Sequence, residues 1–143
     1  MHHENSNLLN EIAKACTMGV DAIEMLLPKT TTSALKTELE KQKGKYEKLH
    51  IQAETALEKY HMQPEKEKMT QHAMLWGSIQ MNTLVDSSEQ HLAEMMINGT
   101  TMGIIDMTKK LNELEQPKQE EKQLAEEFIK SSQAYIDMWK QYL

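Results

Sequence analysis

Apolar residues return at steps of three and four along most of this chain, the spacing of helices that each bury one face. From Asn5 to Leu27 the seam is Leu8, Ile12, Cys16, Gly19, Ile23 and Leu27, and Pro28 closes it. Thr30, Thr31, Thr32 and Ser33 follow, hydroxyls suited to cap a second helix. That helix is predicted to reach His61 on Leu35, Leu39, Gln42, Tyr46, Leu49 and Ala53, with Leu57 and Tyr60 beyond, and Lys and Glu between them forming a solvated face. Residues 62–87 break the rhythm: Pro64, then Glu65-Lys66-Glu67-Lys68, then apolar residues from Met69 to Leu84 without one sustained period. The stretch reads as a connection containing a short helix. A third long helix is predicted from about Ser88 to Leu114 on Leu92, Met96, Gly99, Gly103 and Met107. A fourth begins near Pro117, a residue suited to a first helical turn, and carries Leu124, Phe128, Ser131, Tyr135, Met138 and Tyr142. The predicted fold is therefore all-α: one four-helix-bundle domain over residues 1–143, built as two helical hairpins joined by a long connection.

The two hairpins echo one another. A shift of 80 positions carries Ile12 to Leu92, Cys16 to Met96, Gly19 to Gly99, Ile23 to Gly103 and Leu27 to Met107. A shift of 89 carries Leu35 to Leu124, Leu39 to Phe128, Gln42 to Ser131, Tyr46 to Tyr135 and Leu49 to Met138. Any two such seams can be superposed, but the pairing of glycines, tyrosines and polar residues goes beyond what periodicity requires. A glycine inside a helix costs roughly 1 kcal/mol against alanine, so Gly19, Gly99 and Gly103 imply close packing. With Gln42 and Ser131 they predict a small, partly polar layer at mid-bundle, either a hydrogen-bonded plug or a wet cavity.

Composition narrows the function. The chain has 143 residues, enough for one core, and 12 methionines scattered as core filler rather than clustered as a copper(I) site. A net charge of −6 excludes an electrostatic nucleic-acid binder, which needs a concentrated basic face. The longest apolar runs fall short of a membrane span, and the first residues lack the basic and apolar regions of a secretion signal. With the single Cys16, these features predict a cytoplasmic protein, in which the Asn98-Gly99-Thr100 sequon stays unmodified.

Two helical hairpins, mid-helix glycines on helices one and three, and long helices of similar seam make residues 8–143 resemble small bacterial members of the ferritin-like superfamily. That resemblance implies the same four-helix architecture. It also raises the question of a di-iron centre, which uses one Glu from each of two helices and a Glu-x-x-His from each of the others. Glu47-Lys48-Leu49-His50 has the spacing, and Glu58-Lys59-Tyr60-His61 repeats it. Under the 89-residue shift, however, Glu47 and His50 fall on Ile136 and Trp139, so the second half-site is missing. Glu24 and Glu94 are the nearest ligand types on the other helices, with His91 beside them, and they do not match each other. The resemblance thus implies, at most, an incomplete iron or manganese site at Glu47, His50, Glu24 and Glu94, and the expectation is that no cofactor is bound.

Other chemistry is poorly served. There is no Gly-x-Ser-x-Gly elbow and no phosphate-binding glycine loop, and a Cys16–His50 nucleophile pair would have its thiol on the apolar seam. Apolar residues beyond the seams, among them Met74, Leu75, Trp76, Met95, Ile97, Ile104 and Ile105, suggest instead a noncatalytic bundle that binds a second copy or another helical protein. The competing reading is that the connection folds back over this second face.

Overall fold

The computed structural model describes residues 2–62, 74–75, 77–81, 83 and 86–143, with side chains from Leu8 onward. Helix α1 (His2–Leu26) gives way at Pro28 to a single 3-10 turn, Leu27–Lys29. The buried Thr30 hydroxyl donates to the Leu26 carbonyl at 2.9 Å, occupying one of the acceptors that a helix end leaves open. Helix α2 (Ser33–Lys59) stops at His61, whose φ of 59° is left-handed. There the Met62 N–H donates to the Leu57 carbonyl at 2.8 Å and the His61 N–H to that of Glu58 at 3.0 Å, the paired bonds of a left-handed helix stop.

Helix α3 (Glu89–Glu113) starts where the Ser88 hydroxyl accepts the His91 N–H at 3.2 Å, while Asp86 accepts the Ser88 N–H at 2.8 Å. Helix α4 (Gln119–Trp139) starts because the Glu121 carboxylate reaches back to accept the Lys118 N–H at 3.0 Å. Pro117 therefore precedes the cap and does not sit in the first turn as its position had suggested. In the connection, residues 74–75, 77–81 and 83 are helical and Ile79 is buried; the charged run 65–68, Trp76 and Leu84 lie outside the described residues. Among the described residues there is no strand.

Contacts between helix ends fix the topology. The Thr32 hydroxyl donates to Glu89, so α2 and α3 begin at the same end of the bundle. Lys59, at the end of α2, lies 3.4 Å from Glu120, at the start of α4. Lys110, late in α3, lies 4.0 Å from Glu11, early in α1. Helices α2 and α3 are thus parallel to each other and antiparallel to α1 and α4. The connection must climb the full length of the bundle, and the bond from the Lys29 ammonium to Gln80, 3.2 Å, catches it close to the far end. Short turns inside each hairpin and one long crossover between them give an all-α four-helix bundle with the predicted connectivity. One crossover is the arrangement seen in ferritin-like folds.

The core is unevenly shared. Helix α1 buries Leu8, Leu9, Ile12, Ala13, Cys16, Ile23 and Leu26, and α2 buries Leu35, Leu39, Tyr46, Leu49, Ala53, Ala56 and Leu57. Helix α3 buries only Leu92, Ala93 and Met107. Packing is most extensive within each hairpin, and the long diagonal of the bundle separates α2 from α3.

Candidate functional site

At mid-bundle the Tyr46 ring lies against Gly19. A methyl group at Gly19 would come within 2.8 Å of Tyr46 Cδ2, so only glycine admits the ring there. The close approach at Gly19 is therefore between α1 and α2. Across the core the same ring meets Phe128 and Tyr135 of α4, with centroids 5.7 and 5.6 Å away. Its hydroxyl is 3.1 Å from Ser132 Oγ. Burial pushes the phenol up to about 12, against the opposing pull of the Ser132 hydrogen bond. Tyr135 is raised as well, chiefly by burial.

One turn from Tyr46, Gln42 is 1 % exposed, and neither its amide nitrogen nor its oxygen has a hydrogen-bond partner. Cys16 is fully buried and its thiol is pushed up to about 12 by desolvation. A thiol in that state is protonated and unreactive at neutral pH, which removes the basis for pairing it with His50. The layer packs and hydrogen-bonds; it presents no ionised group.

Of the remaining residues expected in this layer, Ser131 and Gly99 lie outside it and Gly103 borders it at Phe128. Ser131 is half-buried and hydrogen-bonded to Glu127; the inward hydroxyl belongs to Ser132, one residue on. A methyl at Gly103 would touch the Phe128 ring edge at an ordinary 3.9 Å, and one at Gly99 would meet nothing within 4 Å. Gly99 is exposed.

The candidate ligands of a metal are dispersed. Glu24 is exposed and pairs with Lys43 at 3.4 Å; His50 Nδ1 is 2.9 Å from Glu54; Glu94 is exposed and 3.8 Å from His91 Nδ1. Glu47 is exposed, because Tyr46 and Leu49 occupy the inward face of α2 at that level. Glu58 and His61 are exposed too. Among the described residues no three His, Cys, Asp or Glu side chains converge where an ion could sit. The iron or manganese reading accordingly finds no ligand set around Glu47, His50, Glu24 and Glu94.

Two buried polar residues escaped the pattern reading. Glu121 is 0 % exposed, one carboxylate oxygen without a partner, and burial raises its carboxyl above the usual range. Its place three residues after Lys118, just beyond Pro117, is the spacing of a helix-start acid and was the available signal. Trp139 is fully buried with its indole N–H unpaired, and nothing in its spacing announced that.

The surface has two features of note. A groove of about 740 Å³ between α2 and α4 is lined by Lys45, Lys48, Ile51, Leu124, Glu127 and Lys130. Its charges are mixed and partly self-satisfied, since Lys45 lies 2.7 Å from Glu127. The outer face of α3 carries Met102, 66 % exposed, and Ile105, 48 % exposed, with exposed Asn98, Thr101 and Lys109 around them. Leu75, Met95 and Ile97, also singled out as apolar surplus, pack partly against the core, while Met74 is exposed. Met102 and Ile105 are left uncovered by the described residues of the connection.

No protein-family model, curated protein or solved structure matches the chain. The class is thus defined by the fold alone: an all-α four-helix bundle with one crossover. Among the described residues no helix is long and apolar enough to cross a membrane.

Proposed function

We propose that this chain is a noncatalytic helical-bundle protein that acts by binding, either to a second copy of itself or to another helical protein. The observation that carries this reading is the outer face of α3, where Met102 and Ile105 stand in solvent beside the open space at Gly99. Scattered exposed apolar residues are ordinary, but two large ones adjacent on a helix that buries little of itself are the kind of surface a partner helix covers. Burial of the only thiol and the dispersal of the acidic and histidine side chains among the described residues support a binding role over a chemical one. The single crossover supports an architectural kinship with ferritin-like bundles, without their metal chemistry. A cytosolic setting belongs to the same proposal, since a buried free thiol suits a reducing compartment.

Sedimentation equilibrium from micromolar to near-millimolar concentration tests the self-binding arm. A rising apparent mass that Met102→Asp with Ile105→Asp abolishes is the expected result. A strict monomer at every concentration removes self-association as the function.

A further inference from the structure

The exposed face of α3 has an order to it. Asn98, Met102, Ile105 and Lys109 succeed one another at steps of four, three and four, so they form one stripe along the helix, and Glu94 continues it toward the N-terminal end. All five are exposed. Read along the axis, the stripe begins with an acid, carries an amide and two large apolar side chains at its centre, and ends with a base. The acid and the base lie fifteen residues apart, about 22 Å of helix. Midway between them are Thr101 and Met102.

A surface with this order is complementary to itself when reversed. Deepening the self-binding reading just given, and resting on it, we infer that a second copy of this chain docks here through α3 alone, antiparallel, about a twofold axis passing near Met102. In that arrangement Glu94 of each copy meets Lys109 of the other, Asn98 meets Ile105, and the two Met102 side chains meet at the axis. A twofold contact requires one patch to pair with its own reverse, and the stripe meets that requirement in charge, at Glu94 and Lys109, and at Met102 on the axis. The open space at Gly99, next to Asn98, leaves room for the approaching Ile105. Parallel pairing of the same stripes would instead set Glu94 against Glu94 and Lys109 against Lys109, like charges at both ends. The α2/α4 groove lacks this logic, because its Lys45 is already satisfied within the chain by Glu127. One helix pair makes a small interface, so the dimer is a weak, concentration-dependent one.

Charge reversal and cross-linking on the full chain test the arrangement. Glu94→Lys and Lys109→Glu should each weaken dimerisation in sedimentation equilibrium by about fivefold, and the double variant should return it to within about twofold of the natural protein. Met102→Cys should form a symmetric interchain disulfide under mild oxidation. Ile51→Cys, equally exposed but on α2, should not, and buried Cys16 does not compete. If the chain dimerises yet the single reversals leave the constant unchanged, or Ile51→Cys cross-links as readily as Met102→Cys, self-association stands and this face is wrong. If the natural protein is monomeric throughout and Met102→Cys gives no cross-link, both the face and the self-binding reading fall.

Discussion

The two hairpins are made to one plan and finished differently. In the first, α1 and α2 bury an almost unbroken seam and meet so closely that a tyrosine ring lies on a glycine. In the second, α4 is well buried but α3 contributes only Leu92, Ala93 and Met107, and its glycines face a ring edge or open space. The same residue type at corresponding positions thus does opposite things. Glycine at 19 is required by what it touches, whereas glycine at 99 leaves a space that none of the described residues fills. A helix that accepts the conformational cost of glycine without using the space internally has that space free for a partner.

Substitutions placed symmetrically in the two hairpins can break this contrast. Leu49→Ala removes a fully buried side chain from the first hairpin and should cost about 3 kcal/mol in urea unfolding, while Met102→Ala in the second should stay within about 0.5 kcal/mol. Equal losses would mean that α3 is tied into the core as firmly as α2. Gly19→Ala should lose about 1–2 kcal/mol, because Phe128, Tyr135 and Ser132 hold the Tyr46 ring and it cannot retreat. Gly99→Ala should gain up to about 1 kcal/mol from helix propensity alone. Same-sign changes would refute the distinction between a used and an unused glycine. Gln42→Met exchanges an unpaired buried amide for an apolar chain of similar size and should gain about 1 kcal/mol; a loss would show that the amide is satisfied by water in the layer.

The smallest effect concerns Glu121, in the first turn of α4. Its carboxyl is raised by burial, so between the ordinary carboxylate value and the higher folded one the folded state holds the proton that the unfolded state has lost. Stability from this group therefore falls as pH rises through that window and is recovered on acidification. Glu121→Gln keeps an acceptor for the Lys118 N–H. It should be the more stable protein at neutral pH, with the advantage shrinking as pH falls through the window. A difference independent of pH would show that the carboxyl titrates alike in both states.

The fold was legible to the degree that each helix had one apolar face. In α2, where Lys and Glu fill the gaps, every expected seam residue from Leu35 to Ala53 is buried. In α4 the fully inward residues after Phe128 are Ser132, Ile136 and Trp139, while the seam residues Tyr135 and Met138 pack only partly against the core and Ser131 turns to Glu127. Each inward residue there has a neighbour that could serve as well, so spacing alone could not choose. The internal echo is therefore partial, holding at Leu124 and Phe128 and losing register beyond. In α3 both faces carry apolar residues, and no period distinguishes the side that meets α4 from the side that meets water. The metal reading failed for a related reason: a Glu-x-x-His spacing says that two side chains share a face, not that the face is the inner one.

Native-state hydrogen exchange, followed across protein concentration, separates the two helices, because amides of a packed and a half-covered helix open at different free energies. The α2 amides around Leu49 should be strongly protected at every concentration, while those of α3 from Glu94 to Lys109 should exchange faster in dilute solution and slow as concentration rises. Protection of α3 equal to that of α2, and unchanged by concentration, would contradict that contrast.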